Sequence, residues 1–155
     1  MKRNEALSYA YDFVGLLMAK IGESANDVIL FGSVARGDFD EESDIDLFVN
    51  VSKQNLKSVQ EAVDKTTNEF ELISARTWKL KDVDFPIKCI VGDIGDGKWA
   101  ALKREIVSSG VTLYGNYKSA QKGLNQYFIF SFGLSNLKYK NQVSAVRKLY
   151  GYYAK

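Results

Sequence analysis

Two acids one residue apart constrain this chain more than any other feature. In Asp44-Ile45-Asp46-Leu47-Phe48-Val49, the apolar Ile45, Leu47 and Val49 alternate with Asp44, Asp46 and Phe48, the pattern of a β-strand with one buried face. Side chains two apart on a strand share a face. Asp44 and Asp46 are therefore expected to point the same way, with Cα atoms about 6.6 Å apart at the usual rise. Two ionised carboxylates side by side repel, and a hard divalent ion with oxygen ligands relieves that repulsion. Just upstream, Val28-Ile29-Leu30-Phe31 reads as a buried strand. It ends abruptly at Gly32-Ser33, where glycine lets the chain turn and lets a backbone or a phosphate come close.

Other readings of these residues fail on spacing. Gly32 and Gly37 are separated as in a phosphate loop, but Asp38 and Phe39 follow in place of Lys and Ser/Thr. Asp38 and Asp40 open like a calcium loop, yet its sixth and twelfth places hold Ser43 and Val49 instead of Gly and Glu. A surface hairpin with two solvated aspartates would account for the acids alone, but not for Gly-Ser-x-x-Arg-Gly at this distance before them. A tight Gly-Ser turn beside a strand with two carboxylates suits a nucleoside triphosphate held through metal ions. Mg²⁺ commonly takes one or two carboxylates and leaves its other positions to water and phosphate.

Gly32-Ser33-Val34-Ala35-Arg36-Gly37, a short spacer and Ser43-Asp44-Ile45-Asp46-Leu47 resemble the signature of the DNA polymerase beta-like nucleotidyltransferase superfamily, in particular its minimal nucleotidyltransferase domains. The resemblance is strong over residues 27–51 and extends to about Gly115. Lys98-Trp99, Glu105-Ile106, Gly110 and Leu113-Tyr114-Gly115 resemble the tail of such domains. It implies a mixed α/β fold, a small mixed sheet packed with helices. It also implies Mg²⁺ (or Mn²⁺) as cofactor and a nucleoside triphosphate such as ATP as substrate. By resemblance, Gly32 and Ser33 hold the triphosphate, Arg36 lies near the phosphates or braces the loop, and Asp44 and Asp46 bind two Mg²⁺ ions.

The superfamily adds a third aspartate from a neighbouring strand. The strand expected here, 86–91, offers Lys88 and Cys89 instead; Asp84 before it and Asp93 after it are the nearest acids, and Asp84 is the preferred one. The implied activity is transfer of a nucleoside monophosphate from a triphosphate to an acceptor hydroxyl, on RNA, a protein or a small molecule. The alternative is a catalytically degenerate module that binds nucleotide or RNA, or an antitoxin that acts on a partner protein.

The remaining chain supplies the scaffold. Leu7, Tyr11, Val14, Leu17, Met18 and Ile21 recur at helical steps over 3–21, and Gly22 ends the run. A short helix is expected near 34–36. Leu56, Val59, Val63 and Phe70 mark a second long helix over about 53–74, with Ser52 as its cap. Thr77–Leu80 reads as extended, and 86–91 as a strand with Pro86 at its start. Residues 98–109 read as a helix capped by Asp96 and closed by Gly110, and 111–114 as a last strand.

Residues 1–115 are expected to form the nucleotidyltransferase domain and 116–155 a short basic, aromatic extension, with a strand over 127–132 and a helix over 141–150. All 19 acidic residues precede Ile106, and seven of the 21 basic ones follow it. Basic residues among Tyr127, Phe128, Phe130, Tyr139, Tyr150, Tyr152 and Tyr153 suit phosphate contacts with base stacking, so RNA or tRNA is an expected partner of this part. The chain has no histidine, which excludes Ser-His or Cys-His catalysis within it. Its one cysteine, Cys89, excludes an intrachain disulfide and reads as a small buried residue. No run is long enough to span a membrane and no signal-peptide core is present, so a cytoplasmic protein without membrane contact is expected.

Overall fold

The computed structural model describes residues 3–40, 42–115 and 138–150, with side chains to Val146 in the last segment. The chain divides into two compact units, Met1–Lys118 and Ser119–Lys155. In the first, α1 (Arg3–Ile21), β1 (Ala25–Phe31), α2 (Gly32–Arg36), β2 (Ile45–Val51), α3 (Leu56–Thr77), β3 (Ile87–Gly92), α4 (Ala100–Ser109) and β4 (Val111–Gly115) follow one another. The strands form one sheet in the order β3-β2-β1-β4. β1 runs antiparallel to β2 and β4, while β3 runs parallel to β2. This is a mixed α/β fold with a small mixed sheet, in agreement with the sequence pattern.

The two faces of β2 are both covered, by different means. Ile45, Leu47, Val49 and Val51 point into the main core, where they meet Val28 and Leu30 of β1, Phe13 and Leu17 of α1, and Val59, Val63 and Phe70 of α3. Burying each of these side chains stabilises the fold by about 1.5–3 kcal/mol before entropy is counted. The opposite face carries Asp46, Phe48 and Asn50. Phe48 is fully buried there, edge-on to Trp99 with ring centroids 5.5 Å apart. The alternation in the sequence groups Phe48 with the aspartates, which is correct for direction; its burial comes from the short turn that leads into α4.

Several local expectations need correction. α1 turns its Tyr9, Ala10 and Phe13 inward and leaves Tyr11 49% exposed. Its apolar stripe is rotated because Tyr9 seats in an aromatic cluster with Phe70, Trp78 and Phe85 at 5.0–5.8 Å. The segment Thr77–Leu80 is not extended. α3 continues to Thr77 and a 3₁₀ turn, Lys79–Lys81, follows, because the Trp78 indole is drawn to α1, where its N–H donates to Asp12 at 3.0 Å. Neither Ser52 nor Asp96 makes a side-chain cap; each precedes a 3₁₀ turn that leads into its helix.

In the second unit α5, Tyr139–Tyr150, covers the helix expected at 141–150. The strand expected at 127–132 lies outside the described residues. Among the described residues no helix is long and apolar enough to cross a membrane.

Candidate active site

The site begins where β1 stops. Gly32 takes φ 75°, a left-handed conformation that favours glycine, and starts the five-residue helix α2 with half-buried Ser33. Phe31 pairs with Asp46 across the antiparallel ladder, so the bend necessarily lies beside that aspartate. The approach is close enough to require glycine: a Cβ at Gly32 would fall on the Asp46 carboxylate, 3.3 Å from its Cγ and nearer still to Oδ2. The glycine-serine bend and one of the two acids are thus brought together by strand register.

The turn is held from several sides. Gly37, at φ 87°, closes α2, and its N–H donates to Ser33 O at 2.8 Å. Arg3 reaches across from α1 to donate to Ala35 O at 2.7 Å. Arg36 donates from Nε to Asp38 Oδ2 at 3.1 Å and from Nη1 to Glu105 Oε1 at 3.0 Å. These two contacts tie the loop after α2 to α4. Sequence reasoning does not single out Glu105 as a functional residue, although it lies in the Glu-Ile pair of the tail pattern. Asp40 is likewise occupied by its own loop, accepting from Ser43 Oγ at 2.8 Å and from Glu42 N at 3.1 Å.

Asp44 stands immediately before β2 and Asp46 is its second residue. The Ile45 N–H donates to Pro86 O at 2.8 Å, which locks the start of β2 to the start of β3. The carboxyl of Asp46 is held above the usual carboxylate range, first by burial, then by the negative charges of Asp44 and Glu105; Lys88 and Arg36 pull the other way. Asp44 and Asp46 therefore sense one another, as the Asp-x-Asp spacing requires. They are the side chains that could hold a divalent cation, and the space that Gly32 leaves beside Asp46 is where a larger residue would close the site.

The neighbouring strand supplies a cation instead of a third acid. Lys88 is in register with Asp46, and its ammonium binds Asp44 Oδ2 at 2.5 Å. Contact with Asp44 raises the Lys88 pKa. Asp84 pairs with Lys79 at 2.8 Å and lines a cavity of about 470 Å³ with Tyr9, Phe70, Ser74 and Phe85. Asp93 sits just past the far end of β3, five residues and about 16 Å from Lys88, where it accepts from the Gly95 N–H. Among the described residues no group of three or more His, Cys, Asp or Glu is placed to hold a metal ion. The structure thus sets Gly32 against Asp46, with Ser33 next in the bend and Asp44 just before β2, ties Arg36 to Asp38 and Glu105, and pairs Asp84 with Lys79.

Residues 19–112 match the family model of the nucleotidyltransferase domain. The chain belongs to that family. This nucleotidyltransferase domain is also 42% identical over 45 residues to a protein of Methanocaldococcus jannaschii named as a protein adenylyltransferase. The match spans 29% of the present chain and 46% of that relative, so it covers about half of the relative's length. Among solved structures, a nucleotidyltransferase from Sulfolobus solfataricus superposes with a TM-score of 0.45 at 21% identity, covering 71% of this chain and 80% of the other. A chain from a toxin-antitoxin solved with AMP-PNP gives 0.40 at 15% identity, over 68% and 73%.

Proposed function

We propose that this nucleotidyltransferase domain moves a nucleoside monophosphate from a nucleoside triphosphate to an acceptor hydroxyl. The observation that carries the reading is the seating of the Asp46 carboxylate against Gly32, with Asp44 beside it. A glycine-serine bend packed this closely against one acid of a carboxylate pair supports a site where phosphate is held through a cation. In the reaction the acceptor oxygen forms a bond to the α-phosphorus, the bond from that phosphorus to the bridging oxygen breaks, and pyrophosphate leaves. The acceptor proton passes to solvent or to a carboxylate of the site. Mg²⁺ (or Mn²⁺), when bound, neutralises charge that develops on the transferring group; Asp44 and Asp46 would hold it. Gly32 and Ser33 orient the triphosphate, and the Arg36–Glu105 contact keeps their turn rigid.

The acceptor class rests on the C-terminal part. After Ile106 the chain carries seven basic residues and no acid, and Lys138, Tyr139 and Lys140 are exposed at the start of α5. We take RNA, tRNA in particular, as the first acceptor to test and a protein side chain as the second; the adenylyltransferase name of the archaeal relative favours the latter. Incubation with labelled ATP or CTP, Mg²⁺ and bulk tRNA or cell lysate should label an acceptor. Asp44→Ala should lower that labelling by at least a hundredfold, about 3 kcal/mol of barrier. Labelling that survives the substitution overturns the site. The second reading, a module that binds nucleotide or RNA without transfer, is favoured by Lys88 in place of an acid. It predicts salt-sensitive RNA binding and no label transfer.

A further inference from the structure

Lys88 has no part in the reaction as proposed, yet it touches the site directly. It stands beside Asp46 on the same face of the sheet, and its ammonium is bound to Asp44. Its side chain is 64% exposed, so packing does not dictate a lysine here. Arg36, the other cation acting on Asp46, has its guanidinium committed to Asp38 and Glu105. Among the described residues Lys88 is therefore the cation left facing the carboxylate pair.

Resting on the nucleotide-transfer reading, we propose that Lys88 is a built-in cation of the site, its ammonium standing in for a second divalent ion, so that one metal ion binds per nucleotide. Charge decides the count. Asp44 and Asp46 bring two negative charges and Lys88 returns one. One divalent ion then leaves the site with a single excess positive charge to meet a polyphosphate. A second would leave three, pressed against an ammonium that already occupies Asp44. Exchanging an acid for a lysine changes the local charge by two, which is the charge of one divalent ion. Lysine suits this role because it is a compact charge with three donors on a flexible stem. It can rest on Asp44 without ligand and offer a donor to phosphate when nucleotide is present.

The test counts metal ions and does not depend on turnover. Equilibrium dialysis with Mn²⁺ and saturating AMPCPP, which cannot be cleaved between the α- and β-phosphates, should find one Mn²⁺ per bound nucleotide. Lys88→Asp should take up two. Lys88→Gln should keep one but bind AMPCPP in EDTA roughly tenfold more weakly than the parent, as expected on losing one charge-assisted contact. Two ions in the parent, one in Lys88→Asp, or no ion in the parent overturns the proposal. Should Lys88→Asp fail to fold, judged by circular dichroism, the Gln variant decides: unchanged binding in EDTA overturns the proposal. If no variant, nor the parent, binds AMPCPP even with Mn²⁺, the nucleotide reading itself falls and takes this one with it.

Discussion

β2 and β3 lie side by side, parallel and in register, yet they are held very differently. Ile45, Leu47, Phe48 and Val49 of β2 are fully buried, because core lies on one face and Trp99 on the other. β3 is an edge strand: Ile87, Cys89, Ile90 and Val91 are only partly buried and Lys88 is exposed. The aspartates therefore sit on a strand whose register cannot slip without expelling the core side chains. The position beside Asp46 is chemically free. A site built this way can keep its carboxylate pair fixed by the core while the neighbour's charge changes, the cost falling on the carboxylates and not on packing.

The comparison is broken most severely at Gly32, where β1 hands over to the site. Gly32→Ala adds a Cβ at φ 75° and drives it into the Asp46 carboxylate. The left-handed conformation alone costs about 1–2 kcal/mol, and the carboxylate must move as well. We expect the melting temperature to fall by several degrees and nucleotide binding to be lost. Gly97→Ala is the control, since nothing lies within 4 Å of its would-be Cβ and its backbone is not left-handed; it should change neither. Equal effects from both would mean that the bend is not closed upon Asp46.

The bend is legible in the sequence because glycine, serine and alternating acids are local signals. So are the strands at 28–31 and 111–114, the long helices, and the two carboxylates on one face. What stays hidden depends on contacts between distant residues. Nothing near Arg36 in sequence says that Glu105, on α4, holds it. The helical turn at Trp78 is set by Asp12 and Tyr9 on α1, so the local pattern reads wrongly as extended. Asp84 is the nearest acid in sequence to the expected position, but its ion pair with Lys79 is not legible there. Lys88 stands at the expected place in the sequence, but its bond to Asp44 spans two strands and is not written there.

A smaller effect of opposite sign is expected at Asp46. Its carboxyl is raised by burial, by Asp44 and by Glu105, against the opposing pull of Lys88 and Arg36. Between the ordinary carboxylate value and this raised one, the folded chain binds more protons than the unfolded chain. Stability therefore falls as pH rises through that window, and the burden persists at neutral pH. Asp46→Asn removes the charge with little change in shape. It should raise the melting temperature by a few degrees at pH 7, and the gain should vanish below the ordinary carboxylate range. The same variant should lose nucleotide and Mn²⁺ binding. Such a trade of stability for function is usual in sites that gather like charges. A variant less stable than the parent at pH 7 would mean that Asp46 is relieved by its cations more than it is strained by its neighbours.

The mildest probe asks how firmly the edge strand is closed. Cys89 of β3 is in register with Leu47 and packs against the main core, and burial, aided by Asp64, pushes its thiol up to about 12. Only the thiolate reacts with an alkylating agent. At pH 8 the folded chain should therefore react with iodoacetamide roughly a thousandfold more slowly than the chain in denaturant, the ratio set by about three units of pKa. The edge position works against this protection, since local opening of β3 would expose the thiol without unfolding β2. A rate that approaches the denatured one, while amides of Leu47 and Val49 still resist hydrogen exchange, would show that β3 detaches by itself. Lys88 would then leave Asp44 and Asp46 whenever the strand opened, and the two carboxylates would stand as a pair without their cation. A slow rate would instead tie Lys88 to the site for as long as the sheet is folded, and make the ammonium as permanent a part of it as the aspartates.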